Sequence, residues 1–344
     1  MLLALCKEIE LQKDFFKDPI HTIYFGGGTP SLLSGEELSV ILNTVRRVFD
    51  IAQIREITLE ANPDDLNKEQ LKAIHSAGIN RLSIGIQSFF EEDLKYMNRA
   101  HNAQQALDCV ALAKAQGIEN ISIDLIYGFP GLSEEKWQAN LNQAIDSGVS
   151  HISSYSMTVE AGTTLSHQIE KGKALKIDDE QSIRHFEMLQ KALKAAGYVH
   201  YEISNFCLPD QESKHNSSYW KGKKYLGIGP SAHSFNGSSR YWNIANNLRY
   251  MDSIESNSLP FEKEEIDLLT AYNEYVLTRL RTIWGVEEKD LSAFPEICKE
   301  TFSKEIKKYL DQGKVVFSQG KYTLSEEGKF IADRIASDLF VLKK

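Results

Sequence analysis

Through its first 200 residues the chain alternates short apolar runs with longer amphipathic stretches, at a period of roughly 30 residues. No other feature narrows the fold as much. The runs HTIYFGGG, EITLEANP, RLSIGIQS, NISIDLIYGFPG and HISSYSMTVE read as strands. Helical segments separate them. SGEELSVILNTVRRVF opens with Ser34 and Glu37 at capping-box spacing. NKEQLKAIHSAG stops at Gly78, and DDEQSIRHFEMLQKALKAAG carries apolar residues three and four apart. The strand segments read as continuously apolar, which predicts parallel strands buried on both faces. A β/α repeat of this kind specifies a doubly wound sheet or a barrel.

The rhythm breaks near residue 198. YVHYEISNF reads as one more strand, and the stretch to residue 262 is rich in Gly, Ser, Asn and aromatics. From about residue 263 the pattern is helix, helix, hairpin (KVVFSQGKYTLSEEG), helix, a winged-helix-like order. Three parts are therefore expected: residues 1–200 as the β/α unit, 201–262 as an aromatic-rich connecting segment, and 263–344 as a small C-terminal domain. The opening MLLALCKEIELQKDFF reads as an amphipathic helix and not as a signal peptide.

Composition excludes several classes. A net charge of −9 disfavours nucleic acid or an anionic membrane as the main partner. Lys304, Lys307, Lys308 and Lys314 are interspersed with acidic residues, so a solvated helix face is expected there. No apolar run approaches the roughly 18 residues of a spanning helix, so stable membrane insertion is not expected. Cys6, Cys109, Cys207 and Cys298 lie far apart, supporting neither a disulfide framework nor a zinc ribbon, and a reducing cytoplasm is the expected compartment.

Polar residues recur where the strands end. Gly26, Gly27, Gly28 and Thr29 follow TIYF; Glu60 follows ITL; Gln87 follows LSIGI; Asp124 follows ISI; Thr158 and Glu160 close SSYSMTVE. In a β/α barrel successive strand ends surround one pocket. A carboxylate within an apolar strand costs several kcal/mol unless it is paired. Glu60 and Asp124 are thus either ligand contacts or partners of helix N-termini or of Arg81 or Arg99. The triple glycine fits neither the dinucleotide nor the P-loop pattern. It brings bare backbone against a ligand or another strand, where a plain βα turn would not require three glycines.

HNSSYW, residues 215–220, sets a histidine among aromatics, with Tyr225, Phe235, Tyr241 and Trp242 nearby. A flat aromatic slot with an imidazole suits a porphyrin. The alternative is that these rings seal the mouth of the β/α unit where the C-terminal part docks, with His215 a structural loop residue.

Taken together, YFGGGTPSLL, LEANPDDL, RLSIGIQSF, NRAHN, SIDLIYGFPG and SYSMTVEAGT resemble the radical S-adenosylmethionine (SAM) proteins related to oxygen-independent coproporphyrinogen III oxidase. HNSSYW with YLGIGPSAHSF is more similar to the heme chaperone branch. The resemblance runs the length of the chain. It implies an α/β fold: a partial (β/α) TIM-like barrel of the radical SAM type, missing its first strand, plus a small winged-helix-like C-terminal domain. It implies SAM contacts at Gly27, Gly28, Thr29, Glu60, Gln87, Arg99 and Asp124 and, from looser alignment, Thr158 and His233. It implies heme contacts at His215, Asn216, Tyr219 and Trp220, with His215 as iron ligand. The cysteines of the family's CxxxCxxC loop, which hold a [4Fe–4S] cluster, are absent, so a cluster is expected only in a full-length form. A sequence that starts late is expected over a cluster-less relative, because the downstream pattern is intact and a barrel without its first strand exposes a sheet edge. The function implied is heme binding and delivery to an acceptor protein; the alternative is radical decarboxylation of coproporphyrinogen. Expected partners are heme or a porphyrin, a heme-accepting protein and a second copy of the chain.

Overall fold

The computed structural model describes residues 1–15 and 17–342. After α1 (Leu2–Leu11), strands and helices alternate: β1 (Thr22–Phe25), α2 (Gly35–Val48), β2 (Glu56–Ala61), α3 (Lys68–Ala77), β3 (Arg81–Gln87), α4 (Glu91–Tyr96), α5 (Ala103–Ala115), β4 (Asn120–Tyr127), α6 (Glu134–Asp146) and β5 (His151–Ser156). Then come α7 (Thr164–Glu170), α8 (Asp179–Ala195), β6 (Val199–Glu202) and β7 (Asn205–Cys207). Among the described residues these strands form one seven-stranded sheet in the order β1-β2-β3-β4-β5-β7-β6. β1 to β5 run parallel, and β7 pairs antiparallel with both β5 and β6. YVHYEISNF is thus two strands and not one. The chain reverses at Ile203–Ser204, and the hairpin carries the sheet past residue 200.

Local signals hold where they are self-contained. Ser34 and Glu37 close a capping box on α2, and Gly78 ends α3 at φ +110°. The expectation of strands apolar on both faces is corrected. Register aligns Thr58 with Arg81, Ser83 with Ser122, and Asp124 with Ser153, so one face of the sheet is a polar layer. The opposite face carries Leu59, Leu82, Ile84, Ile121, Ile123 and Ile152, all fully buried in the main hydrophobic cluster with Leu71, Val110 and Leu141 of the helices. Each such side chain contributes about 1.5–3 kcal/mol. Helices therefore cover one face, and the other is left for polar chemistry.

The next segment is less irregular than its composition suggests. It contains α9 (Lys214–Trp220), β8 (His233–Phe235), β9 (Ser239–Asn243), α10 (Asn247–Glu255) and β10 (Phe261–Glu265), the strands forming a small antiparallel sheet β10-β9-β8. Glu8 of α1 ties this segment down. Its carboxylate is fully buried and accepts from Tyr250 Oη (2.5 Å), Asn243 Nδ2 (2.6 Å) and Gly229 N–H (2.7 Å), while burial pushes its pKa upward. The C-terminal part comprises α11 (Leu268–Leu280), β11 (Val286–Glu287), α12 (Glu296–Asp311), β12 (Val315–Ser318), β13 (Lys321–Leu324) and α13 (Ala332–Asp338) around a second hydrophobic cluster that includes Tyr272, Val276, Phe302 and Ile335. Lys304, Lys308 and Lys314 lie within 3.3 Å of Glu305, Asp338 and Glu327 carboxylates. Among the described residues no helix is long and apolar enough to cross a membrane.

Candidate functional site

A cleft of about 1530 Å³ lies along β1, the edge strand of the sheet, lined by Tyr24, Gly27, Glu60, His215, Tyr219 and His233 among others. That exceeds the roughly 300–1,000 Å³ of ordinary small-molecule sites.

At its β1 end the glycines behave as their spacing implied. Gly27 and Gly28 sit at φ +75° and +62°, and a Cβ on either would point into open space. Gly27 N–H donates to Glu60 Oε2 at 3.2 Å, and Tyr24 Oη donates to Glu60 Oε1 at 2.7 Å. Glu60 is thus satisfied by neutral donors and not by Arg81 or Arg99. Gln87 ends β3 at φ +66°, where the register with β4 shifts, a strained position for a non-glycine residue. Its amide and the Arg99 guanidinium converge over Gly85: a Cβ there would lie 2.9 Å from Gln87 Nε2 and 3.3 Å from Arg99 Nη2. Arg99 donates to Asn62 Oδ1 at 2.7 Å, but its buried Nε has no partner among the described residues. Asp124 stands on the same face beside Ser153. Crowding by protein atoms pushes its pKa up to about 6, opposed by Ser153, Arg81 and Arg99 and reinforced by Glu60. Thr158 departs from expectation: β5 stops at Ser156, and Thr158 is exposed on the following loop, 3.5 Å from Glu160 Oε1. His233 is exposed on β8 and lines the cleft, its ring 6.3 Å from Trp242.

HNSSYW is a helix, not a loop. Ser213 Oγ caps α9 by accepting from Asn216 N–H, and Glu56 of β2 accepts from Lys214 N–H (3.0 Å) and His215 N–H (2.9 Å). Helical spacing then splits the four expected heme contacts into two pairs. His215 and Tyr219 share the face that lines the cleft. Asn216 and Trp220 do not line it; the Trp220 ring faces Arg281 at 5.9 Å, and its buried Nε1 has no partner among the described residues. The His215 ring stacks on Tyr24, centroids 4.8 Å apart at 22°. Its Nδ1 meets Thr22 Oγ1 at 2.8 Å and its Nε2 meets Tyr219 Oη at 2.9 Å. Burial, aided by Arg81 and opposed by Glu56, lowers its pKa to about 4, so the imidazole is neutral at pH 7. Both ring nitrogens are engaged, and a ligand can reach Nε2 only when Tyr219 turns aside. Tyr219 is 40% exposed, which leaves it room to do so.

Sequence reading missed Thr22, Tyr24 and Glu56. The alternation T-I-Y on β1 and E-I-T on β2 was the available signal, because residues two apart share a face.

The site is suited unequally to the groups the resemblance implied. SAM fits the donor set: open glycine backbone, two carboxylates, and an arginine with an orphaned buried Nε. When bound, SAM supplies a sulfonium, and the residues here would hold its amino, carboxylate and ribose groups. A [4Fe–4S] cluster does not fit. The four cysteines are free, three of them buried, with burial pushing Cys109 and Cys207 up to about 12. No three His, Cys, Asp or Glu side chains converge as a metal site among the described residues.

Comparison with known proteins accords with this geometry. A profile of the Radical SAM superfamily matches residues 6–144. The structure of coproporphyrinogen III oxidase (HemN) from Escherichia coli, a radical SAM enzyme, aligns with a TM-score of 0.82 at 20% identity, covering 98% of this chain and 82% of that one. The fold is therefore of the radical SAM type. In sequence, the chain is 34% identical over 342 residues to the heme chaperone HemW of Mycobacterium tuberculosis, covering 98% of this chain and 85% of that protein. It is 32% identical over 319 residues to HemW of Bacillus subtilis, covering 92% and 84%. The chain belongs to the HemW family.

Proposed function

We propose that the protein binds heme in the cleft beside α9 and passes it to an acceptor protein. The observation that carries this reading is His215: a neutral imidazole held on Tyr24, its Nε2 edge facing a cleft large enough for a porphyrin. Membership of a family whose relatives are named heme chaperones supports it. His215 is the iron ligand, Tyr219 the residue it exchanges for iron, and Asn216 and Trp220 act from behind, by seating α9. Gly27, Gly28, Thr29, Glu60, Gln87, Arg99 and Asp124 form a SAM cradle at the strand ends, of which Gly27, Thr29 and Glu60, like His233, also line the cleft. Radical decarboxylation of coproporphyrinogen suits the same fold, but the relatives matched in sequence are named heme chaperones and favour the heme-handling reading.

The same reading takes the sheet as a partial barrel with its polar face inward, and residues 263–344 as a winged-helix-like unit, on the strength of helices α11 to α13 around the sheet β11-β13-β12. The connecting segment then begins after the β6–β7 hairpin. The protein works in the cytoplasm.

Hemin titration tests the proposal. The wild type is expected to give a shifted, saturable Soret band, and His215→Ala to bind at least tenfold more weakly. His215→Gln, which keeps one polar contact to Thr22, guards against loss of fold. No Soret shift in the wild type, or wild-type affinity in both variants, would overturn it.

A further inference from the structure

Directly after the His215 helix the sequence runs Lys221-Gly222-Lys223-Lys224, a cationic turn in a chain of net charge −9. The structure puts all three lysines, with Lys214, on the wall of the same cleft. Three carboxylates face them there, those of Asp18, Glu60 and Glu212. Glu60 is engaged by Tyr24 and Gly27, and Asp18 pairs with Lys224 at 3.1 Å between two exposed side chains. Such exposed pairs contribute about 0–1 kcal/mol and exchange readily for another anion. Lys221 and Lys223 have no ion pair within 4.0 Å among the described residues. Lys221 is nonetheless held in place. Its Nζ lies 4.0 Å from the centroid of the Trp284 ring, which also lines the cleft. Next to the lysines the wall is aromatic: Tyr219 packs edge-on against Tyr225 at 4.7 Å and against His215 at 5.1 Å.

An aromatic wall with ammonium groups beside it suits an apolar aromatic ligand that carries carboxylates. We propose that the Lys221–Lys224 turn is the propionate-recognition element of this cleft. It selects porphyrins with free carboxylates and orients heme with its propionates toward the turn and its iron toward His215. This rests on the heme-binding reading above and adds to it a ligand class and an orientation. Long-range attraction to the turn also makes capture of a dianionic ligand dependent on ionic strength.

The test compares hemin with hemin dimethyl ester, each presented in the same detergent. It uses the full chain as wild type and as Lys221→Gln/Lys223→Gln/Lys224→Gln. The wild type is expected to prefer hemin over the diester by about tenfold or more, with raised salt weakening hemin but not the diester. The triple variant is expected to bind hemin only as well as the diester, with its diester affinity unchanged. Equal affinity of the wild type for both ligands, or a preference retained in the triple variant, overturns the proposal while leaving heme binding intact. If neither ligand shifts the Soret band of the wild type, heme binding itself fails and the inference fails with it. The unchanged diester affinity excludes misfolding of the triple variant as the cause of a loss.

Discussion

Tyr24 links the two ends of the cleft, since its hydroxyl donates to Glu60 beside the glycine turn and its ring carries His215. Tyr24→Phe removes the hydrogen bond and keeps the stack. It is expected to lower SAM affinity severalfold while changing hemin affinity less than twofold; Tyr24→Leu, which loses the stack as well, is expected to weaken both. Parallel calorimetric titrations with SAM and hemin check this, and a fall in hemin affinity with the phenylalanine variant would contradict it. Glu60 and Gly27 were legible as site residues because a carboxylate on a strand and a run of glycines stand out locally. Tyr24 was not, because an aromatic on a strand ordinarily signals core, and only the register of β1 against β2 turns it toward the cleft.

Helix α9 is short, and its start depends on a residue distant in sequence. Glu56 accepts from the two backbone N–H groups at 214 and 215, while its own charge faces the buried Arg81 at 3.9 Å. Glu56→Gln preserves size but supplies one acceptor in place of two and leaves Arg81 without its counter-charge. Loss of a cap costs about 0.5–2 kcal/mol, and an uncompensated buried charge costs more. The variant is expected to unfold at lower urea and to bind hemin more weakly; unchanged values in both would show that α9 does not depend on Glu56. This explains why HNSSYW was read as a loop. Ser213 is a local cap signal, but the seven residues hold one good helix former, Lys214, among His, Asn, two Ser and two aromatics, and the second cap comes from β2. The α2 capping box and the Gly78 stop, whose parts all lie in adjacent sequence, were read correctly. Strand alternation was obscured because Ile, Leu and Phe occupy every second position and dominate the eye.

Across the whole molecule, histidine burial gives the fold its pH response. His200 is held near pKa 3 by burial and by the adjacent Lys329, His215 near 4, and His151 well below its usual value by burial and by Arg81. A histidine whose folded pKa lies below its unfolded value contributes stability that is complete above about pH 6.5 and is lost as pH falls toward the folded value. Asp124 acts in the opposite sense, since a raised carboxyl pKa favours folding as pH drops from about 6. His101 and His185 are lowered by burial as well, and these five histidines outweigh the two raised carboxyls, Asp124 and Glu8, so the thermal midpoint is expected to fall steadily between pH 6.5 and 4; a flat profile across that window would contradict this. The seam between the sheet and the C-terminal helices rests on Glu202, 1% exposed, paired with Arg281 Nη2 at 3.1 Å. Backbone hydrogen bonds from Ile203 N–H to Arg281 and from Ile283 N–H to Tyr201 accompany it, both at 3.0 Å. Arg281→Met strands a buried carboxylate and is expected to cost roughly 3 kcal/mol in urea unfolding. Lys308→Met, at an exposed pair, is expected to cost less than about 1 kcal/mol.

The central claim is that the His215 imidazole meets the iron of heme in this cleft, and resonance Raman spectroscopy of the ferrous heme complex reads that bond directly. An iron–histidine stretching band is expected in the wild type, with its loss in His215→Ala and its return when free imidazole is added to that variant. A band that persists in His215→Ala without added imidazole would place the iron on another residue and contradict the account.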